Sequence, residues 1–146
     1  MPIPTNLIKI LAPRLPLTYS PRVQYEGLAD YKGIALQNLK MLILTIPGER
    51  MMDIEFGVGL SKYLFEMNDV FTRAEISSKI REQVGIYLPY IEILDIKYHS
   101  SIEDPTVNEE YLGIKIIFKI TTIGLVATLA IDVSGVDITN LVYNFG

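Results

Sequence analysis

The hydrophobic period of this chain changes at Pro89, and that change limits the fold more than any other feature. Before it, apolar residues recur at helical spacing. Leu36, Leu39 and Ile43 share one stripe that Leu42 broadens, with Gln37, Asn38 and Lys40 on the wetter side. This predicts a helix over 33–45, stopped by Pro47-Gly48. A short helix over 59–65, with Leu60, Tyr63 and Leu64 facing inward, ends at Asn68-Asp69. A third helix places Ile76, Ile80, Val84 and Tyr87 on one face and ends at Pro89. Its start reads as a capping box, Thr72-Arg73-Ala74-Glu75, with Thr72 at the N-cap and Glu75 reaching back. After Pro89 the period becomes two. Over 112–121, Ile114, Ile116, Phe118 and Ile120 oppose Lys115 and Lys119. Strands over 91–99 and 125–133 flank this one, the second across a turn containing Gly124. Helices first and strands afterwards give an α+β fold of two layers, with the N-terminal helices packed on a small antiparallel β-meander.

The ends read differently. Residues 1–22 carry Pro2, Pro4, Pro13, Pro16 and Pro21, which withhold amide donors and push their predecessors out of helix. An extended arm over 1–32 is expected. Its apolar residues (Ile3, Leu7, Ile8, Ile10, Leu11, Leu15, Leu17) should lie along a neighbour or along the domain's own side. The α+β domain then spans 33–133. A tail over 134–146 either adds a strand or lies on a partner. With 146 residues in all, there is room for one such domain.

The composition excludes several kinds of chemistry. There is no cysteine and one histidine, His99, so disulfides, thiol catalysis and Cys-rich zinc sites are out, and His99 reads as an ordinary strand-edge residue. The formal net charge is −4 and no Lys/Arg run occurs, which argues against nucleic acid as a partner. The apolar run 41–46 is too short to span a bilayer, and residues 1–11 lack the basic start and small-residue cleavage site of a secretory signal. Gly57-Val58-Gly59 lacks the Lys-Ser/Thr of a phosphate loop. Glu103, Asp104, Glu109 and Glu110 do not follow calcium-loop spacing, so no cofactor or metal is expected. Carboxylates are plentiful, and Glu49, Glu55 and Glu66 lie in and around the loop and short helix, but there is no tryptophan to floor a sugar cleft. A non-enzymatic protein is the expectation. The mean hydropathy, +0.29, is high for a small domain and points to apolar surface that partners cover or, as the alternative, to an unusually rich core.

The stretch 39–66, LKMLILTIPGERMMDIEFGVGLSKYLFE, carries a specific pattern. An apolar helix ends in Leu44-Thr45. Then come Gly48-Glu49-Arg50, the triplet Glu55-Phe56-Gly57, Leu60, and a close at Leu64-Phe65-Glu66. In order and spacing this resembles the small baseplate-wedge family of T-even-like phages, other contractile tails and type VI secretion systems. The resemblance covers about residues 33–131. Physically, Arg50 can fork to a carboxylate of Glu55 or Glu66, Phe56 can plug the core, and Gly57 can permit close backbone approach. One departure stands out: many members carry Glu-Pro-Arg where the long helix meets the first strand, and this chain has Leu88-Pro89-Tyr90.

The resemblance implies a structural subunit of the virion's contractile-tail baseplate, assembled in the host cytoplasm. It implies other baseplate wedge proteins and the tail sheath protein as partners. The wedge contact falls at Leu88, Pro89 and Tyr90. Sheath would join by strand addition at the hairpin 112–133, with Ile114, Ile116, Phe118, Ile120, Leu125 and Leu129 as contact residues. Two rivals come from other classes. A lysozyme-like cell-wall hydrolase would need two of Glu49, Glu55 and Glu66 in one cleft. A regulatory anti-adaptor would bind a single soluble partner.

Overall fold

In the computed structural model of the chain, which describes residues 11–17, 19–21, 24–25, 27–65, 69–99 and 113–132, Asp30 opens the first helix. Its side chain accepts the Gly33 amide at 3.0 Å, so α1 (Tyr31–Leu44) starts two residues before the apolar stripe predicts. Ala35, Leu36, Leu39, Leu42 and Ile43 form its buried face. Thr45 then leaves the helix with an extended backbone, while its amide and hydroxyl both bond the Met41 carbonyl.

Ahead of α1, the described part of the arm doubles back on itself. β1 (Ala12–Pro13) pairs with β4 (Gly27–Leu28), and β2 (Tyr19–Ser20) pairs with β3 (Gln24–Tyr25), both antiparallel. Gln37 of α1 holds this arm. Its side-chain oxygen accepts the Leu15 amide at 2.8 Å and its nitrogen donates to the Pro13 carbonyl at 3.0 Å. Of the two courses open to the arm, this stretch takes the one along its own domain.

A 3-10 helix (Leu60–Phe65) precedes α2 (Val70–Tyr87). The expected capping box is corrected: Asp69, not Thr72, is the N-cap, and its carboxylate accepts the Thr72 amide at 2.8 Å. Asp69 and Thr72 are both capping residue types, three positions apart. The earlier one adds three residues to the helix and frees Glu75 to accept the Tyr63 hydroxyl at 3.2 Å. The Thr72 amide is the first cause holding the Asp69 carboxyl below its usual range. A carboxyl lowered by folding stabilises above its unfolded pKa, near ~3.9, and that stabilisation is lost as pH falls through the lower folded value. Asp69→Asn keeps a capping oxygen but does not titrate. The melting-temperature gap between wild type and Asp69→Asn is therefore expected to be constant above about pH 5 and to close in acid. A gap that persists down to pH ~2 would contradict the charged cap.

The strands β5 (Ile91–His99), β6 (Gly113–Ile120) and β7 (Leu125–Asp132) form an antiparallel sheet in the order β5-β6-β7. His99 ends β5 opposite Gly113. Strict alternation along β5 would turn Ile96 and Tyr98 away from the face that Ile91 and Ile93 share. A register shift between Ile93 and Asp95 corrects this, setting Ile91, Ile93, Ile96 and Tyr98 opposite Ile120, Phe118, Ile116 and Ile114. α1 packs toward β7 and α2 toward β5, and the core lies between helices and sheet, which is the expected α+β arrangement. Tyr98 ties the layers together: its hydroxyl donates to the Arg73 carbonyl at 2.8 Å and meets Ser77 Oγ at 2.6 Å. The linker 100–110, residues 1–10 and the tail 134–146 lie outside the described residues.

Candidate functional site

The loop 47–59 is built onto the end of α1. A helix leaves its last carbonyls without partners. Here Leu42 O accepts the Val58 amide at 3.0 Å and Thr45 O accepts the Gly59 amide at 2.9 Å. From the other side, Gln83 of α2 accepts the Gly57 amide at 2.9 Å. Gln83 is buried, and its place in the apolar stripe of α2, beside Val84, is the signal that could have marked it. Replacing it with methionine keeps the volume but orphans a buried amide. A loss of about 1–3 kcal/mol is expected, read by urea unfolding. An unchanged midpoint would mean that the Gly57 amide finds water instead.

Three side chains then stack. Phe56 is buried, as its place between an acid and a glycine predicts, and its ring meets Tyr87 edge-on at 4.9 Å. The Arg50 guanidinium lies over the Phe56 ring, 3.8 Å from its centroid. Arg50 thus braces the loop through the aromatic face rather than through an ion pair with Glu55; Glu66 lies outside the described residues. The Tyr87 hydroxyl donates to Asp53 at 2.9 Å, and desolvation, then that carboxylate, pushes the phenol above its ordinary pKa. Glu49 accepts the Ile46 amide at 3.0 Å while its own amide bonds the Ile46 carbonyl, and the Gly48 amide reaches Ile54 O. Leu64 and Phe65 fall in the 3-10 helix, and their side chains lie outside the description.

The sheet requires a correction to the expected contact residues. Ile114, Ile116, Phe118 and Ile120 are core, and β6 is paired on both sides, so none of them can meet an added strand. Leu129 also faces the core. The period-two pattern marks two faces without saying which is covered, and the helices take this one. Leu125, 38% exposed, and Val126, 53% exposed, remain open on β7. Among the described residues β7 has one neighbour, and its pairing runs from Gly113↔Asp132 to Ile120↔Leu125 without a shift. The opposite edge, β5, carries the bulge, and Arg81 donates to its Ile93 carbonyl at 3.2 Å.

The sequence profile described as baseplate wedge protein gp25 matches residues 30–123, more than half of the chain. The chain belongs to this family. No curated protein sequence matches it. Among solved structures, one similar chain lies in the sixfold-symmetrised baseplate of the anti-feeding prophage. Its TM-score is 0.64 and its identity 23%, covering 73% of this chain and 82% of that one. Another is a candidate tail lysozyme from Geobacter sulfurreducens, with TM-score 0.60 and 21% identity, covering 73% of this chain and 93% of that one. At these identities the two establish the fold. Membership establishes a structural role in the baseplate of contractile-tail machinery.

In this wedge protein the positions aligned with Glu-Pro-Arg divide. Leu88 is buried, Pro89 is exposed, and Tyr90 is half-buried with its hydroxyl accepting from Asn38 at 2.9 Å. Tyr90 also lines an open cavity of about 370 Å³ with Tyr31, Ile34, Asn38, Ile120 and Thr122. Among the described residues no group of His, Asp and Glu could hold a metal ion, and no helix is long and apolar enough to cross a membrane.

Proposed function

We propose that this wedge protein is a non-enzymatic subunit that binds neighbouring baseplate wedge proteins and templates the first ring of the tail sheath on the open edge of β7. The carrying observation is that edge: regular in register, with one strand neighbour among the described residues, and held on a core that helices close from one side. A row of backbone amides and carbonyls of that kind takes an incoming strand by main-chain pairing. Left open, it is an aggregation hazard, which fits a protein that functions inside an assembly. The wedge contact is proposed at Leu88-Pro89-Tyr90, where Pro89 and the Tyr90 cavity supply apolar area in place of the Glu and Arg charges. The proposed location is the virion baseplate, with assembly in the host cytoplasm. The hydrolase reading draws support only from likeness of fold, and Glu49, one of its acids, already caps a backbone amide.

Separate Val126→Pro and Ala127→Pro variants test the edge. Neighbouring residues of a strand send their amides to opposite sides, so one proline removes an outward amide and the other breaks pairing with β6. One variant is expected to melt near wild type and lose sheath co-assembly when expressed with wedge and sheath proteins. The other is expected to unfold. Normal sheath assembly by the stable variant rules out strand addition on β7.

A further inference from the structure

The loop 47–59 turns three large apolar side chains out to solvent. Three of its charged side chains have internal partners: Glu49 the Ile46 amide, Arg50 the Phe56 ring, Asp53 the Tyr87 hydroxyl. The Gly48 amide, 2.8 Å from Ile54 O, closes the turn between them. Facing outward beside Glu49, Arg50 and Glu55 are Met51 at 95% exposure, Met52 at 100% and Ile54 at 66%. Apolar side chains this open are costly in water unless something covers them. The bracing below means that little backbone freedom remains to be lost on binding, and methionine adapts its shape to an irregular cleft.

We propose that Met51, Met52 and Ile54 form a preformed apolar anchor that inserts into a hydrophobic cleft on an adjoining baseplate protein. This rests on the wedge-subunit reading and names a second contact of that subunit, apart from the β7 edge and the Tyr90 cavity. Glu55, exposed and beside the anchor, calls for a lysine or arginine on the rim of the cleft. Charge also selects a protein over a lipid surface. Glu49, Asp53 and Glu55 flank the anchor on a chain of net charge −4, and anionic headgroups would repel them.

The test is oxidation footprinting of the full chain, free and within purified tail particles. In free protein Met51 and Met52 should form sulfoxide as fast as an open peptide. In particles both should react at least about tenfold more slowly, because oxidation follows exposure. Equal rates in the two states, with the chain present in the particle, overturn the anchor and leave the wedge reading standing. Absence of the chain from every particle overturns the wedge reading and the anchor with it. A Met51→Ser/Met52→Ser variant should keep the wild-type melting temperature while its incorporation falls about tenfold; undiminished incorporation also overturns the anchor. Vesicles of phosphatidylglycerol and phosphatidylethanolamine should not co-sediment the free chain. Co-sedimentation lost in the double variant would overturn the protein partner in favour of lipid.

Discussion

Replacing Gly57 with alanine is expected to destabilise the protein by about 3–5 kcal/mol, lowering its melting temperature by roughly 10 °C or more. Two effects add. The backbone there has φ +115°, which side-chain-bearing residues rarely adopt, and a Cβ would collide with the Thr45 carbonyl. That carbonyl is also the acceptor for the Gly59 amide, so yielding to the methyl group breaks the seam between loop and helix end. Gly48→Ala is the control. Its φ is +96°, but nothing lies within 4 Å of a Cβ built there. It should show strain alone, about 1–3 kcal/mol. If the two variants melt alike, Gly57 is required for its torsion and not for close approach. If Gly57→Ala melts as wild type, the loop does not dock on α1 as described.

Phe118→Ala should cost about 3–5 kcal/mol, because it empties the middle of the core from its central strand. Phe118 is 0% exposed and stands in register with Ile93 of β5 and Ala127 of β7. Val126→Ala, on the open side of β7, should stay within about 0.5 kcal/mol of wild type. Urea unfolding of both separates the core face from the open face. The same pair bears on function. A stable Phe118→Ala that loses sheath would return the contact to the β6 face. Loss of stability with sheath binding kept at permissive temperature supports the β7 edge.

The sheath-contact residues show where sequence reasoning stopped. Ile114, Ile116, Phe118 and Ile120 were legible as one face of a strand, and that face was right. Its covering was not legible, because period two says which residues are together and not what lies opposite them. Leu125 and Leu129 share a parity too, yet Leu129 is core and Leu125 lies open at the strand's first residue. The cap of α2 was missed for a different reason. Asp69 and Thr72 carry competing signals of the same kind, and the choice depends on Tyr63, twelve residues before Glu75, offering that carboxylate another partner.

By itself, the sequence determined the types and order of the elements from α1 to β7 but not the short strands of the arm, together with the apolar stripes of α1 and α2, the buried Phe56, and the motif run that marks the family. All of these rest on spacing within one segment, and local spacing is written in the chain. Tertiary structure alone decided the rest. Arg50 stacks on Phe56 instead of pairing with Glu55, Gln83 reaches Gly57 from 26 residues away, and Asp53 meets Tyr87 across 34. The bulge in β5 and, among the described residues, the single strand neighbour of β7 likewise follow from which strand pairs with which. Each is a contact between segments brought together by the core, and no local pattern encodes the partner.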